Sequence, residues 1–198
     1  MSDTFAALTT RPLSRGALIH QTPDAEIARV GLEDAASHVM TDLRRVPAVT
    51  TPRETLVDEA LQKMIHAKVR LLLVVDDRCG VHGVVTARDL VGEAPVKVAR
   101  QEGLSRDGVA VRQVMTPLEE VDVLTMDQVD QARVGDIVET LRKAARQHLL
   151  VVDCDEYTCD HIRGIFSATQ IGRHLGLEIS PEGPAQSFAE LERLLQRH

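Results

Sequence analysis

The sequence predicts an α+β fold made of two copies of a strand–helix–strand–strand–helix unit. Three matched segments support the duplication: VMT at residues 39–41 returns at 114–116, VVD at 74–76 returns at 151–153, and GVVTARD at 83–89 returns as GIFSATQ at 164–170. The offset between the copies grows from 75 to 77 to 81 residues, so insertions fall in loops and leave the apolar segments intact. Three matches in the same order are hard to obtain by chance.

Composition places the chain among soluble globular proteins and excludes several classes of partner. Of its 198 residues 43% are hydrophobic and 27% are charged, and a net charge of −7 gives no bulk attraction to nucleic acid or anionic lipid. With no Trp, one Tyr and three Phe, the chain lacks the aromatic platforms on which single-stranded bases stack. No apolar run approaches the roughly 20 residues of a membrane span. We therefore expect neither a nucleic-acid nor a membrane partner.

The N-terminus and the cysteines indicate the compartment. The opening segment, MSDTFAALTTRPLSRG, contains no apolar run framed as a signal peptide. Three cysteines at irregular spacing fit a reducing compartment better than a disulfide framework. We therefore expect a cytoplasmic protein.

Clusters of Pro, Gly and polar residues mark the boundaries between segments of the chain. The expected segments are an N-terminal arm (1–32), a first repeat (33–95), a linker with one or two helical turns (96–110), a second repeat (111–176) and a C-terminal tail (177–198). The arm has no sustained periodicity. In the tail, SFAE at 187–190 is typical of a capping box, and Phe188 begins the apolar stripe of a short helix. That helix is too short to be stable alone, so it should pack on the body or on another subunit.

The first unit opens with Leu32, Ala35, Ala36 and Val39 at helical spacing. A short strand is expected near residues 46–50, followed by Thr51-Pro52 as a breaker. Thr55 then has the position of an N-cap, with an acid three residues later. The helix that it opens shows one apolar stripe: Leu56, Ala60, Leu61, Met64 and Ile65.

A predicted hairpin completes each unit. The continuous apolar run at residues 71–75 indicates a buried strand, 78–80 a turn, and 81–85 the returning strand. The second unit repeats this order, and its helix keeps an apolar stripe: Val134, Ile137, Val138, Leu141 and Ala145.

The end of the first hairpin is the candidate site. Thr86 is a good N-cap, and the helix start after it should offer free backbone N–H groups to an anion such as a phosphate. Asp89 follows three residues later on the same face, and a carboxylate can accept two hydrogen bonds from a ribose diol. Gly83 permits close approach of a ligand or of neighbouring backbone. For an isolated copy, an ordinary cap with a dipole-compensating acid is the competing interpretation.

Together these segments resemble a tandem pair of CBS domains, a Bateman module, over roughly residues 33–176. The resemblance rests on the paired VMT segments, the amphipathic helices, the LLVVD strands and the G-x-x-[ST]-x-x-[DQ] ends. It implies β-α-β-β-α repeats related by a pseudo-two-fold axis, with small mixed sheets packed against helices. It also implies a homodimer, and an adenine nucleotide bound in a cleft between the repeats to regulate a partner protein.

The resemblance assigns roles to matching residues. Thr86 and Asp89 match the family's phosphate- and ribose-contacting pair, and Gly83 matches its glycine. In the second copy Ser167 replaces the threonine and Gln170 replaces the acid. Because hydrogen bonds to charged groups are stronger than neutral ones, this exchange should weaken the second cleft about tenfold. We predict one competent site and one weak or vacant site.

Four further residues match cleft positions of the family. Arg70 and His148 stand just before the second strand of each copy, where basic residues often meet phosphates, and Thr55 and Ala60 match positions that touch the base in some members. For Arg70 a snorkelling surface arginine is an equal alternative. Arg88 is interpreted as a surface or dimer residue.

Other chemistry has little support in the sequence. Cys154, Cys159 and His161 lie together in the second hairpin but lack a fourth zinc ligand, so no metal is expected. An exposed polar hairpin that happens to hold thiols is the favoured interpretation, and a redox-sensing thiol pair is a further alternative. No nucleophile with an identifiable base is present, so we expect no enzyme and no catalytic cofactor.

The predicted function is a regulatory module that binds AMP, ADP or ATP and signals its occupancy to a partner protein. A rival hypothesis is a ligand-free dimerisation scaffold in which Asp89 merely caps a helix. A nucleotide hydrolase is a third, for which no residues are found. The sequence leaves open the phosphate count and the regulated partner.

Overall fold

The computed structural model describes residues 29–78, 80–153 and 161–176. Most of the predicted arm, the predicted tail helix, and Cys154 and Cys159 lie outside these described residues. The strands are β1 (Thr41–Asp42), β2 (Thr50–Pro52), β3 (Leu71–Val75), β4 (Val81–Thr86), β5 (Thr116–Pro117), β6 (Val123–Thr125), β7 (His148–Asp153) and β8 (His161–Ser167). The helices are α1 (Val57–Ala67), α2 (Ala87–Val91), α3 (Ala94–Glu102), α4 (Met126–Gln131), α5 (Val134–Lys143) and α6 (Ala168–His174).

The predicted α+β fold with two repeated units is confirmed. The strands form two four-stranded sheets, ordered β2-β3-β4-β5 and β1-β8-β7-β6. In each sheet one pair is parallel and two are antiparallel, which makes both sheets mixed. Each hairpin carries a register shift at the same place, after Val74 in the first and after Val151 in the second.

The edge strands are exchanged between the repeats. β1 lies at the start of the first repeat but pairs with β8, opposing Thr41 to Ile165. β5 lies at the start of the second repeat but pairs with β4, opposing Thr116 to Val84. The VMT segments that mark the two copies therefore lead into strands that complete the other copy's sheet.

Three apolar clusters hold the fold together. One lies under α1, α2 and α3 and includes the fully buried Leu72 and Leu90. A second lies under α5 and α6 and is centred on the fully buried Phe166. A third joins the two sheets through Leu71, Leu73, Val84 and Leu150. This third cluster places the ends of β3, β4 and β7 side by side, which positions the site described below.

Helix α1 begins two residues later than the predicted cap. Its N-cap is Leu56, which makes no side-chain capping bond, so the prediction that Thr55 caps the helix is wrong. The backbone of Thr55 instead accepts a hydrogen bond from Val111 N–H at 2.8 Å, so this position ties the chain after the linker to the start of α1. At the other end Lys68 adopts φ 55°, the left-handed conformation that commonly terminates helices.

The strand predicted near residues 46–50 lies further along the chain. β2 includes Pro52, the predicted breaker, and pairs in parallel with β3 through Thr50 opposite Leu73. Proline is tolerated because β2 is an edge strand, where one N–H of each pair of residues faces away from the ladder.

The linker is folded more extensively than predicted. α3 spans nine residues and buries Ala99 in the core of the first repeat. Arg106 then donates to Asp58 of α1 and, at 3.0 Å, to the carbonyl of Leu90. In the second copy the segment between β6 and α5, where an insertion in a loop was expected, forms α4 instead, with Thr125 and Gln128 as its cap. Within the described ranges no helix is long and apolar enough to cross a membrane.

Candidate functional site

A cleft of about 210 Å³ lies where the two repeats meet. Both repeats line it: Leu71, Val84, Thr86, Arg88 and Asp89 from the first, with Thr116, Val121, Asp122 and residues 145–150 from the second. Its inner wall includes Leu71, Val84 and Leu150 of the cluster between the sheets. Polar groups line it from both repeats, at the start of α2 and around the start of β7. The cleft brings together three of the predicted site residues, Thr86, Asp89 and His148.

Thr86 and Asp89 form a complete capping box. Asp89 Oδ2 accepts from Thr86 N at 2.8 Å and from Thr86 Oγ1 at 2.7 Å, while Asp89 N donates to Thr86 Oγ1 at 3.4 Å. The three-residue spacing noted in the sequence therefore produces the cap that was its competing interpretation. Only Oδ2 of the carboxylate takes part in these bonds, so the bonds of the cap leave Oδ1 able to accept from a ligand.

The start of α2 offers fewer donors than the sequence predicts. Thr86 N and Asp89 N are both used within the capping box. Ala87 N donates to the carbonyl of Arg70 at 3.0 Å. The Thr86 hydroxyl donates to Asp89, so it cannot at the same time donate to a phosphate. The expectation of a helix end with several free N–H groups is therefore wrong, because the chain satisfies most of them itself.

His148 contributes a half-buried imidazole to the cleft. It is the first residue of β7, and its Nδ1 is buried without a hydrogen-bond partner among the described residues. Burial, with a smaller contribution from the nearby Arg70 guanidinium, lowers the pKa of His148 to about 4. At neutral pH the side chain is therefore an uncharged ring, not a cation for phosphate.

Strand register shows that His148 and Arg70 are not equivalent. His148 opposes Ser167 in the second hairpin, and Leu71 opposes Thr86 in the first, so His148 corresponds to Leu71. Gln147 is the counterpart of Arg70, because Gln147 O accepts from Ala168 N as Arg70 O accepts from Ala87 N. The predicted pairing of the two basic residues is wrong by one position.

Arg70 does not line this cleft; it reaches toward the second repeat. Its Nη1 donates to Thr169 Oγ1 at 3.3 Å. In the same region Thr41 Oγ1 donates to Gln170 Oε1 at 2.9 Å. Ser167 precedes α6 as its N-cap but makes no side-chain capping bond. The second copy therefore uses its amide to join the repeats, where the first copy uses its acid to cap a helix.

Three other predicted site residues also lie outside the cleft. A Cβ on Gly83 would overlap the carbonyl oxygen of Thr116, so this glycine admits the neighbouring β5 backbone and not a ligand. Ala60 is fully buried in the core under α1. Thr55 is held by its backbone to Val111, as described above.

Two arginines that were not among the predicted site residues flank the cleft. Arg88 was interpreted as a surface or dimer residue, but it lines the cleft beside Asp89. Arg146 lines it from the second repeat, after Ala145, whose φ of 50° turns the chain at the end of α5. The repeats gave no signal for either, because Thr169 and Val69 stand at the corresponding positions. Asp122 adds a second carboxylate to the lining.

Metal binding finds no geometric support in the described ranges. Over these residues no three side chains of His, Cys, Asp or Glu are placed to hold a metal ion. His161 begins β8, and Asp76 is occupied by its own hairpin, accepting from Gly80 N at 2.8 Å and pairing with His82 at 3.0 Å.

Comparison with known proteins agrees with this architecture. The family model for the CBS domain matches residues 32–95. No curated protein matches the chain. An uncharacterized conserved protein from Pyrococcus horikoshii shares the fold with a TM-score of 0.54 and 20% identity, over 76% of this chain and 98% of that one. A CBS-domain containing protein from Agrobacterium tumefaciens does so with a TM-score of 0.53 and 20% identity, over 73% and 95%.

A third structure is more similar in sequence. CBSX2 of Arabidopsis thaliana, in complex with AMP, superposes with a TM-score of 0.50 and 28% identity. The match covers 71% of this chain and 94% of that one, and so extends over both repeats. The family model identifies a CBS domain in the first half, and the second half repeats its fold with exchanged edge strands, so the chain has the fold of a CBS-domain pair.

Proposed function

We propose that the protein is a regulatory module that binds an adenine nucleotide in the cleft beside Asp89 and conveys its occupancy to a partner protein. The observation that carries the proposal is the convergence of three features in one cleft: a carboxylate oxygen outside the cap, an aliphatic inner wall, and two arginines at the start of α2 and the end of α5. The AMP complex of CBSX2 supports the choice of an adenine nucleotide.

The lining supports one orientation of such a ligand. The base would occupy the aliphatic end, between Leu71, Val84 and Leu150, and the ribose diol would donate to Asp89. The phosphate would then project toward Arg88 and Arg146. Because the walls come from both repeats, a bound ligand would bridge them, and it would shift their relative orientation only as far as it binds one orientation more tightly.

We propose a single competent cleft per chain. The expected weakness of the second cleft rested on the missing charge of Gln170. The structure adds a physical reason, since Gln170 Oε1 already accepts from Thr41, and Arg70 already donates to Thr169. A ligand entering there would have to displace hydrogen bonds that join the two repeats.

A ligand-free scaffold remains the second candidate, and one observation favours it. The capping box of Thr86 and Asp89 is complete without any ligand. A catalytic role has no such support: a His148 with a pKa of about 4 is a weak base at neutral pH, and general acid–base catalysis needs a pKa near the working pH.

The first test replaces Asp89 with glutamine. At 100-fold excess of AMP over Kd, the wild type should gain about 2.7 kcal/mol, or roughly 5 °C or more in Tm. Asp89→Gln should lose about half of that gain, because a neutral acceptor weakens the ribose contact about tenfold. Glutamine keeps the cap, as Gln128 shows by accepting from Thr125 N at 2.9 Å. Thermal melts with and without AMP measure both effects.

A matched control is available on α5. Asp136 caps that helix by accepting from Arg133 N at 2.8 Å, but it does not line the cleft. Asp136→Gln should therefore keep the full rise with AMP. An equal rise in wild type and Asp89→Gln would show that the carboxylate only caps α2. A wild-type melt unchanged by AMP, ADP and ATP would favour the scaffold.

We further propose that the protein acts as a cytoplasmic homodimer. Support comes from Ile65 on α1 and Val91 at the end of α2, which are 59% and 61% exposed. Among the described residues these are the two most exposed large apolar side chains, which makes them the candidate contacts of the dimer that the family resemblance implies. Ile65→Glu with Val91→Glu should shift the mass measured by light scattering from dimer to monomer; a monomeric wild type would contradict the proposal.

A further inference from the structure

We propose that the cleft recognises the nucleoside part of its ligand and gains nothing from phosphates beyond the first, so its ligand class is a nucleoside or a nucleoside monophosphate. This inference rests on the proposed function and narrows it from AMP, ADP or ATP to the least charged of these. Three independent features of the cleft lead to it: its donors, its charges and its size.

The donors that would hold a polyphosphate are already in use. Tight binding of several phosphates in proteins relies on rows of free backbone N–H groups together with cationic side chains. In residues 86–89 the N–H groups of Thr86, Ala87 and Asp89 all donate within the chain, which leaves at most that of Arg88. The Thr86 hydroxyl is also occupied as a donor. A phosphate here would therefore meet side chains and little backbone.

The charges of the lining cancel. Arg88 and Arg146 contribute two positive charges, and Asp89 and Asp122 contribute two negative ones. His148 adds none at neutral pH, because its pKa is about 4. The whole chain carries a net charge of −7, so each additional phosphate is brought toward a negatively charged protein. Since both arginines are exposed, each is worth only a small factor in affinity to an outer phosphate.

The enclosed space is small. About 210 Å³ is less than the roughly 300–1,000 Å³ of ordinary ligand pockets. The aliphatic wall and Asp89 are the groups best able to hold a base and a ribose, and these two parts of a ligand would use much of this volume. Further phosphates would extend into solvent, where ions screen their contacts.

Titration calorimetry of the full chain with adenosine, AMP, ADP and ATP, in buffer without magnesium, tests the proposal. Adenosine and AMP should bind with Kd values within about 25-fold of each other, because two exposed arginine contacts contribute at most about fivefold each. ADP and ATP should bind no more tightly than AMP. Raising the salt concentration should lower the affinity for AMP only slightly.

Matched variants separate the contributions. The double variant Arg88→Gln with Arg146→Gln should leave the affinity for adenosine unchanged and should lower the affinity for AMP by less than about 25-fold. Arg112 is an exposed arginine that pairs with Glu54 away from the cleft, so Arg112→Gln should change neither affinity. ATP binding ten times more tightly than AMP, or undetectable adenosine beside tight ATP, would overturn this inference and leave the proposed function standing. Absence of heat with all four compounds would overturn both.

Discussion

Replacing Gly83 with alanine is expected to lower the free energy of unfolding by about 3 kcal/mol, whereas Gly164→Ala should lower it by about 1 kcal/mol. The two glycines stand at corresponding positions of the two repeats. A Cβ at Gly83 would overlap the backbone carbonyl of Thr116, which can move only if β5 leaves the sheet. A Cβ at Gly164 would meet the thioether of Met40, a flexible side chain that can rotate away.

Urea unfolding of the two variants and the wild type measures the difference. Since Thr116 lines the cleft, displacement of β5 should also reduce the rise in Tm with AMP in Gly83→Ala, while Gly164→Ala keeps it. Equal losses of stability in the two variants would show that β5 yields as easily as a methionine side chain. In that case the close contact between β4 and β5 would not be the reason why position 83 holds a glycine.

The second large effect concerns His148 and acid. A histidine whose pKa is about 4 when folded and 6.5 when unfolded binds protons more readily in the unfolded chain between those values. Its contribution to stability is therefore fully present above pH 6.5 and is lost as the pH falls toward 4. At about 1.4 kcal/mol per pKa unit, the loss between pH 7.5 and pH 4 is about 3 kcal/mol.

His148→Leu should remove this part of the acid sensitivity. Leucine is the matched replacement because Leu71 occupies the corresponding place in the first repeat. At pH 7.5 the variant should be at least as stable as wild type, since the unpaired Nδ1 is removed with the ring. Urea unfolding at pH 7.5 and pH 4 checks both statements.

An exposed histidine provides the control. His66 lies on α1, and His66→Gln should retain the wild-type loss of stability in acid. If His148→Leu loses as much stability in acid as the wild type, then His148 is not held neutral by burial. The folded ring would instead have to take up its proton as readily as in the unfolded chain.

The repeated fold could be predicted because apolar runs and their order survive in both copies. The LLVVD segments became β3 and β7, and the amphipathic stripes became α1 and α5. Errors arose where distant pairing decides the structure. β2 depends on parallel pairing with β3, and the start of α1 depends on a backbone bond between Thr55 and Val111, neither of which has a local pattern.

The candidate site could be predicted only in part. The spacing of Thr86 and Asp89 indicated a cap, and the family resemblance implied that the carboxylate lies at a cleft; the structure shows both. Aligning the copies paired Arg70 with His148, because that alignment lacked the strand register. Arg88 and Arg146 were missed because their place at the cleft depends on how the second repeat packs against the first.

The exchange of edge strands has a consequence for any attempt to trim the molecule. A fragment that ended at the linker would contain β1 without its partner β8, and β4 without its partner β5. The complementary fragment would contain β5 and β8, each also without its partner. Each half alone should therefore aggregate, and mixing the two halves should restore the folded structure. The two domains follow one another along the chain, but neither can complete its sheet without a strand from the other.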